Sequence, residues 1–259
     1  GKILQAHGEQ VVFIIRNFME EKIALVTGGG TGIGAACCNS LSQAGFKVGI
    51  HYNSSKDKAE QLAAELGNCF IIQGDVSTIE GVDAVYDVIK KDYNSQVDVL
   101  VNNAGIALDN PIFTASLDDF QKTMDVNVRG TWYMIKRIAR FMIRKKAGRI
   151  INISSVIGSV PNPTQSVYGM TKAAIDNLTK VAAMELSQYN ILVNSVAPGF
   201  IDTDMTKKIP EELQKEIFKK IPLGRMGQPE EVGDVVKFLA TSGSYITGSI
   251  VHVNGGMYG

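Results

Sequence analysis

Ile23-Ala24-Leu25-Val26-Thr27-Gly28-Gly29-Gly30-Thr31-Gly32-Ile33-Gly34 is the stretch that decides the fold. The four apolar residues read as a buried strand and the glycines as a turn. Ile33, Cys37, Leu41 and Ala44 then share one face of a helix that Gly45 ends. In a strand–turn–helix unit of this kind Gly28 permits the tight reversal, and Gly32 and Gly34 keep side chains out of the way. The helix N-terminus then offers free N–H groups and the positive end of its dipole to a pyrophosphate. Thr31 and Ile33, between those glycines, are candidate contacts of the same turn.

Working outward, apolar β-branched runs alternate with amphipathic segments. Lys47 to Ile50, Cys69 to Ile72, Val97 to Val101, Arg149 to Ile153, Ile191 to Val196 and Ser249 to Val253 follow the first strand. This alternation predicts an α/β fold with a parallel sheet and helices on both faces, and continuous apolar strands such as Val-Asp-Val-Leu-Val fit a sheet covered on both sides. No repeat, low-complexity linker or composition break splits the chain, so residues 19–259 read as one domain. Residues 1–18 read as an upstream extension or expression remnant, because Met19-Glu20-Glu21-Lys22 is a natural start for the first strand. Between Pro198 and Pro229, Ile-Pro-Glu-Glu-Leu-Gln-Lys-Glu-Ile-Phe predicts a short helix outside the sheet, either a lid or a plain surface insertion.

Composition narrows the function classes. Lys plus Arg and Asp plus Glu are both 26, so the chain is formally neutral and lacks the basic excess of a nucleic-acid binder. Cys37, Cys38 and Cys69 form no Cys-x-x-Cys pair and the three histidines are dispersed, which argues against a disulfide framework and a metal site. No apolar run reaches the ~18 residues of a membrane span. A soluble protein of a reducing, cytoplasmic compartment, acting on a small molecule, is expected.

Ser155 stands thirteen residues before Tyr168, which opens Tyr-Gly-Met-Thr-Lys and is followed at i+4 by Lys172. Gln165 to Tyr189 reads as a helix, which puts the phenol and the ammonium on one face. A phenol titrates near ~10 in isolation, and a fixed ammonium beside it favours phenolate, making it a better proton donor at neutral pH. Any one of these residues has an ordinary explanation as a surface pair or a helix cap. A hydrolase serine is not indicated, because no Gly-x-Ser-x-Gly surrounds Ser155.

Together the glycine pattern TGxxxGxG and the Ser/Tyr/Lys spacing resemble the short-chain dehydrogenase/reductase family over roughly residues 20–259. The resemblance implies a single Rossmann-like doubly wound seven-stranded sheet of order 3-2-1-4-5-6-7. It also implies a nicotinamide cofactor, with Ser155 hydrogen-bonding the substrate oxygen and Tyr168 as the acid. Lys172 would hold the nicotinamide ribose, and Asn127, on the long helix before the fifth strand, a water in a proton relay. By the same resemblance Asp75-Val76 meets the adenine, although Asp75 could instead cap the helix near Thr78. Asn103-Ala104-Gly105 lets backbone approach the cofactor, with Asn102 beside it structural. Pro198-Gly199, Ile201 and Thr203 hold the carboxamide. After the second strand no acid appears, and Asn53, Ser54, Ser55 and Lys56 offer donors or positive charge, so NADP(H) is expected over NAD(H).

Within the family, His51 to Ser55, Asn102 to Ile106, Ala197 to Met205 and Tyr245 to Tyr258 are similar to the branch that reduces 3-oxoacyl thioesters on acyl carrier protein during fatty acid biosynthesis. That implies a homotetramer and an acidic carrier, for which Arg144-Lys145-Lys146 and Arg149 could supply a basic docking patch. The same charges also suit a solvated helix C-terminus. Two departures bear on acyl recognition: Gln188-Tyr189-Asn190 has no arginine, and Ala107 to Pro111 replaces Thr-Arg-Asp-Asn-Leu. An acetoacetyl-CoA reductase or another ketone or sugar reductase is the nearest alternative. A non-catalytic dinucleotide-binding regulator is the alternative from another class. The enoyl-reducing branch places six residues between its tyrosine and lysine, where three stand here.

Overall fold

Among the residues that the computed structural model describes, 21–203, 206 and 211–258, seven strands pair in one parallel sheet of order β3-β2-β1-β4-β5-β6-β7. They are β1 Ile23–Val26, β2 Lys47–Tyr52, β3 Cys69–Gln73, β4 Val99–Asn102, β5 Gly148–Ile153, β6 Ile191–Pro198 and β7 Ile250–Val253. The expected extension at residues 1–18 lies outside the described residues. The helices are α1 Gly32–Gln43, α2 Lys56–Leu66, α3 Ile79–Asp92, α4 Leu117–Met124, α5 Thr131–Lys145, α6 Ser166–Leu186, α7 Glu211–Lys219 and α8 Pro229–Thr241. The predicted α/β order holds, and α7 is the short helix expected outside the sheet.

Strand periodicity explains how both faces are covered. Side chains alternate across a strand, so Ile23, Leu25, Leu100, Ile150 and Val193 pack with Val85, Ile89, Met134 and Ile138 of α3 and α5. Their neighbours Ala24, Val26, Val99, Val101 and Ile151 meet Cys37 and Leu41 of α1 and Val232, Val236 and Leu239 of α8. Strand order reverses between β2-β1 and β4-β5, which opens a crevice at the strands' C-terminal ends.

One local difference from the sequence expectation matters for the site. The long helix carrying Asn127 is not uniformly α-helical: a π-helical turn, Asp125–Gly130, joins α4 to α5. Such turns admit an extra residue per turn and occur often at functional positions.

Asn102, expected to be structural, is so. Register pairs it with Asn152, whose Oδ1 accepts from Asn102 Nδ2 at 2.9 Å, and Asn152 Nδ2 donates to Thr179 Oγ1 at 2.9 Å. The ladder ties β4 and β5 to α6 through the protein interior.

The contact between α1 and α8 depends on Gly233, where a Cβ would lie 2.7 Å from Ser40 Oγ and 2.8 Å from the Ala36 carbonyl. Gly233→Ala is therefore expected to cost about 1–3 kcal/mol in urea denaturation. Unchanged stability would show that the two helices have room to separate.

Candidate active site

The C-terminal ends of the strands open onto a cleft of about 1200 Å³, ample for an extended ligand given that pockets for small molecules run ~300–1,000 Å³. Of the residues singled out as cofactor contacts, Gly28, Thr31 to Gly34, Asn53 to Ser55, Asp75, Val76, Asn103 to Gly105, Tyr168, Lys172, Pro198, Gly199, Ile201 and Thr203 border it, and Lys56 does not. Ser155 borders it too. Asn127 does not.

The glycine turn is built as its sequence suggests. Gly28 has φ +61°, and a side chain at Gly34 would run into the Gly28 carbonyl, so the turn folds onto the first turn of α1. It is bracketed to the turn after β4. The Thr27 hydroxyl accepts from the N–H groups of Asn103 and Ala104, each at 3.0 Å, while Asn103 Nδ2 donates to the carbonyls of Thr27 (3.0 Å) and Gly28 (3.1 Å). Thr27, part of the quoted glycine pattern, was given no role there, although a polar residue directly after an apolar strand is the available signal.

After β3, Asp75 Oδ1 accepts from the Ser77 N–H (2.9 Å) and hydroxyl (2.7 Å). Thr78, not Asp75, caps α3, accepting from the Gly81 N–H at 3.0 Å. After β2, Lys56 pairs with Glu60 at 3.2 Å, whereas Lys58, which the sequence reading did not select, borders the cleft beside Ser54 and Ser55. The segment after β6 is held by Gly199 N–H on the Val253 carbonyl (2.9 Å) and by Thr206. The Thr206 hydroxyl donates to the Ile201 carbonyl (2.6 Å) and accepts from the Thr203 N–H (2.8 Å).

Asn127 is buried and its side chain is fully engaged. Its Oδ1 accepts from the Ile106 N–H at 2.8 Å; its Nδ2 donates to the Ile106 carbonyl at 2.9 Å and to Thr171 Oγ1 at 3.1 Å. The side chain latches the turn after β4 to α6 at Thr171, the residue before Lys172.

Ser155, Tyr168 and Lys172 converge at one end of the cleft. Ser155 Oγ accepts from the Ile157 N–H at 3.2 Å and hydrogen-bonds the Tyr168 phenol. Lys172 Nζ stands 5.4 Å from the Tyr168 ring centre and donates to the Ile153 carbonyl at 2.9 Å. The expected effect of the ammonium on the phenol does not dominate. Burial pushes Tyr168 up to about 12, against the lowering hydrogen bond from Ser155 and with a further push from Asp109. Burial also pulls Lys172 down to about 8, opposed by Asp176. Among the protein's own groups, desolvation outweighs their attraction because each sits in a low-dielectric wall.

Arg144, Lys145, Lys146 and Arg149 lie at the N-terminal end of β5, across the sheet from Ser155. Six residues at ~3.3 Å make that roughly 20 Å. Lys145 is bound to Asp98 at 2.7 Å and Arg149 is half-buried. Within one chain that cluster does not border the cleft. No group of metal-ligating side chains occurs among the described residues, and no helix among them is long and apolar enough to cross a membrane.

The chain matches the protein-family model described as enoyl-(acyl carrier protein) reductase over residues 28–258. It is 42% identical over 242 residues to the 3-oxoacyl-[acyl-carrier-protein] reductase FabG of Staphylococcus aureus strain Mu50, covering 92% of this chain and 98% of that protein. FabG of Aquifex aeolicus is 42% identical over 245 residues (93% and 98% covered). The 3-oxoacyl-[acyl-carrier-protein] reductase of Synechocystis is 41% identical over 242 residues (91% and 96% covered).

Asn127→Ala would strand the N–H and carbonyl of Ile106 and is expected to lose about 1–3 kcal/mol of stability together with most turnover. A variant as stable as the parent in thermal melts would show that the side chain is no latch.

Proposed function

Since this chain belongs to the short-chain dehydrogenase/reductase family, whose members use a nicotinamide dinucleotide, we propose that it is a 3-oxoacyl-[acyl-carrier-protein] reductase. It would reduce a 3-oxoacyl thioester to the (3R)-hydroxyacyl thioester in cytoplasmic fatty acid biosynthesis, with NADPH as reductant. The observation that carries this reading is the convergence of Ser155, Tyr168 and Lys172 on a dinucleotide-sized cleft, in a chain so similar to reductases of that name along its length. Three residues, not six, separate Tyr168 from Lys172, which favours carbonyl over enoyl reduction despite the family model's description.

The cleft's own chemistry fits the dinucleotide. The glycine turn presents backbone N–H groups at the start of α1, where Gly32 and Gly34 have no side chains to cover them. None of the residues after β2 that border the cleft, Asn53, Ser54, Ser55, Lys58 and Leu62, is a carboxylate, which suits the extra 2′-phosphate of NADPH. The chemistry such a dinucleotide would supply here is hydride donation to the carbonyl carbon. Ser155 then donates a hydrogen bond to the substrate oxygen and Tyr168 donates its proton to it. A phenol held up near 12 stays protonated until an oxyanion develops beside it, so its proton is available for the transfer. Lys172, close to neutral pH in its titration, can stay charged against ribose hydroxyls and restore the phenol's proton. Asn127 would contribute through the latch and its place beside Lys172.

Exposed apolar side chains at Trp132 on α5, Met184 on α6, Phe238 on α8 and Tyr245 before β7 suit faces shared between subunits of a homotetramer. The changed residues at 107–111 and 188–190 favour one further reading, an acetoacetyl-CoA reductase with the same chemistry.

Tyr168→Phe is expected to lower kcat by ~10²–10⁴ while NADPH affinity, read by fluorescence titration, stays within a few fold. Near-normal turnover would remove Tyr168 from the mechanism. NADPH oxidation with acetoacetyl-carrier protein and acetoacetyl-CoA at matched concentration tests the substrate. A strong preference for the carrier thioester supports the proposal, a preference for CoA supports the second reading, and better use of NADH overturns the cofactor assignment.

A further inference from the structure

One buried titratable side chain beneath the cleft has no part in the chemistry above. His51 sits on β2, 1% exposed, inside the sheet. Its ring nitrogens engage two different turns. Nδ1 accepts from the Gly28 N–H at 3.2 Å, and Nε2 lies 2.9 Å from the Gly74 carbonyl. The main chain adds to the tie, because the His51 carbonyl accepts from the Gly29 N–H at 2.9 Å. Gly74 leads directly into Asp75-Val76.

Those partners dictate the state of the ring. A backbone N–H needs an acceptor at Nδ1, and a carbonyl needs a donor at Nε2, so the imidazole is the neutral Nε2–H tautomer. An imidazolium would set an N–H at Nδ1 against the N–H of Gly28, two donors facing each other. Register puts Ile72 beside the ring on β3, and the charged group that acts on it is Asp75. Burial, the dominant influence, holds the titration down to about 4.

We propose that His51 is a positioning residue for the dinucleotide: its neutral ring fixes the separation between the glycine turn after β1 and the Asp75-Val76 turn after β3. This rests on the cofactor reading above. On that reading the two turns meet different parts of one ligand, the pyrophosphate and the adenine, so their spacing must match it before binding if ordering is not to weaken affinity. Because the Gly28 N–H is already bonded to His51, the N–H groups further along the turn are the ones left for the phosphates.

Two measurements test this. In protein labelled with ¹⁵N-histidine, which has three histidines, the resonances that persist in both His7→Gln and His252→Gln are those of His51. They should show the Nε2–H tautomer unchanged from pH 8 to pH 5. A ring that titrates near 6.5, or that carries its proton on Nδ1, would overturn the proposal even if no His51 variant folds. In the second measurement, His51→Leu should weaken NADPH binding roughly 10- to 100-fold, with kcat at saturating NADPH within about threefold of the parent. His51→Asn, whose shorter amide can return an acceptor toward Gly28, should recover part of the affinity. Variants that bind NADPH as the wild type does would refute the role of His51. Failure of the wild type itself to bind NADPH or NADH would instead refute the cofactor reading.

Discussion

A parallel sheet covered on both faces leaves only its ends where backbone polar groups can meet a ligand. Each strand that reaches the cleft delivers its next residues there: Val26 to Thr27-Gly28, Tyr52 to Asn53-Ser54, Gln73 to Asp75, Asn102 to Asn103, Ile153 to Ser155 and Pro198 to Gly199. Strands spaced ~4.8 Å apart by their hydrogen-bond ladders set the intervals between these turns. The cleft is thus a product of the core: Leu25, Leu100 and Ile150, fully buried, hold in register the strands that end in cofactor contacts.

Loops at strand ends would still be soft without fasteners, and buried polar side chains provide them. Thr27 and Asn103 clasp the first and fourth turns, Asn127 clasps the fourth turn to α6, and His51 clasps the first to the third. Inside protein such bonds are strong when complete and costly when incomplete. Asn127 has every polar atom of its side chain occupied, which explains why a π turn that aims it at Ile106 is tolerated in the middle of a long helical run. The result is a site whose donors are already in place before chemistry begins, the condition under which they stabilise developing charge most.

Burial also decides the acid–base balance. Tyr168 and Lys172 are shifted in opposite directions, one up to about 12 and the other down to about 8, and in both the neutral form is favoured for the same reason, loss of water. At neutral pH the lysine, titrating near 8, still carries its charge and the phenol, near 12, its proton, so ribose hydroxyls and an incipient oxyanion would meet an ammonium and an acid already in their working forms. Asp176, one helical turn beyond Lys172 on α6, is the carboxylate that opposes the lysine's shift. It is itself raised by burial and steadied by Ser154 and Ser195.

Much of this was legible along the chain. The strand–turn–helix order around Gly28, the alternation that makes a doubly wound sheet, and the shared face of Tyr168 and Lys172 all follow from short-range rules: side-chain period, glycine in the turn, and i,i+4 geometry. The clasps were not legible, because their partners stand far apart in sequence: His51 is 23 residues from Gly28, Asn127 is 21 from Ile106, and Thr27 is 77 from Ala104. Nor were the π turn, the retreat of the basic cluster to the far end of β5, or the direction in which Tyr168 titrates. Backbone torsions and periodicity act between neighbours, so sequence alone determined the elements and the candidate chemistry. Strand register and burial act across the whole molecule, and only they could decide which side chains meet and which of them keep their charge.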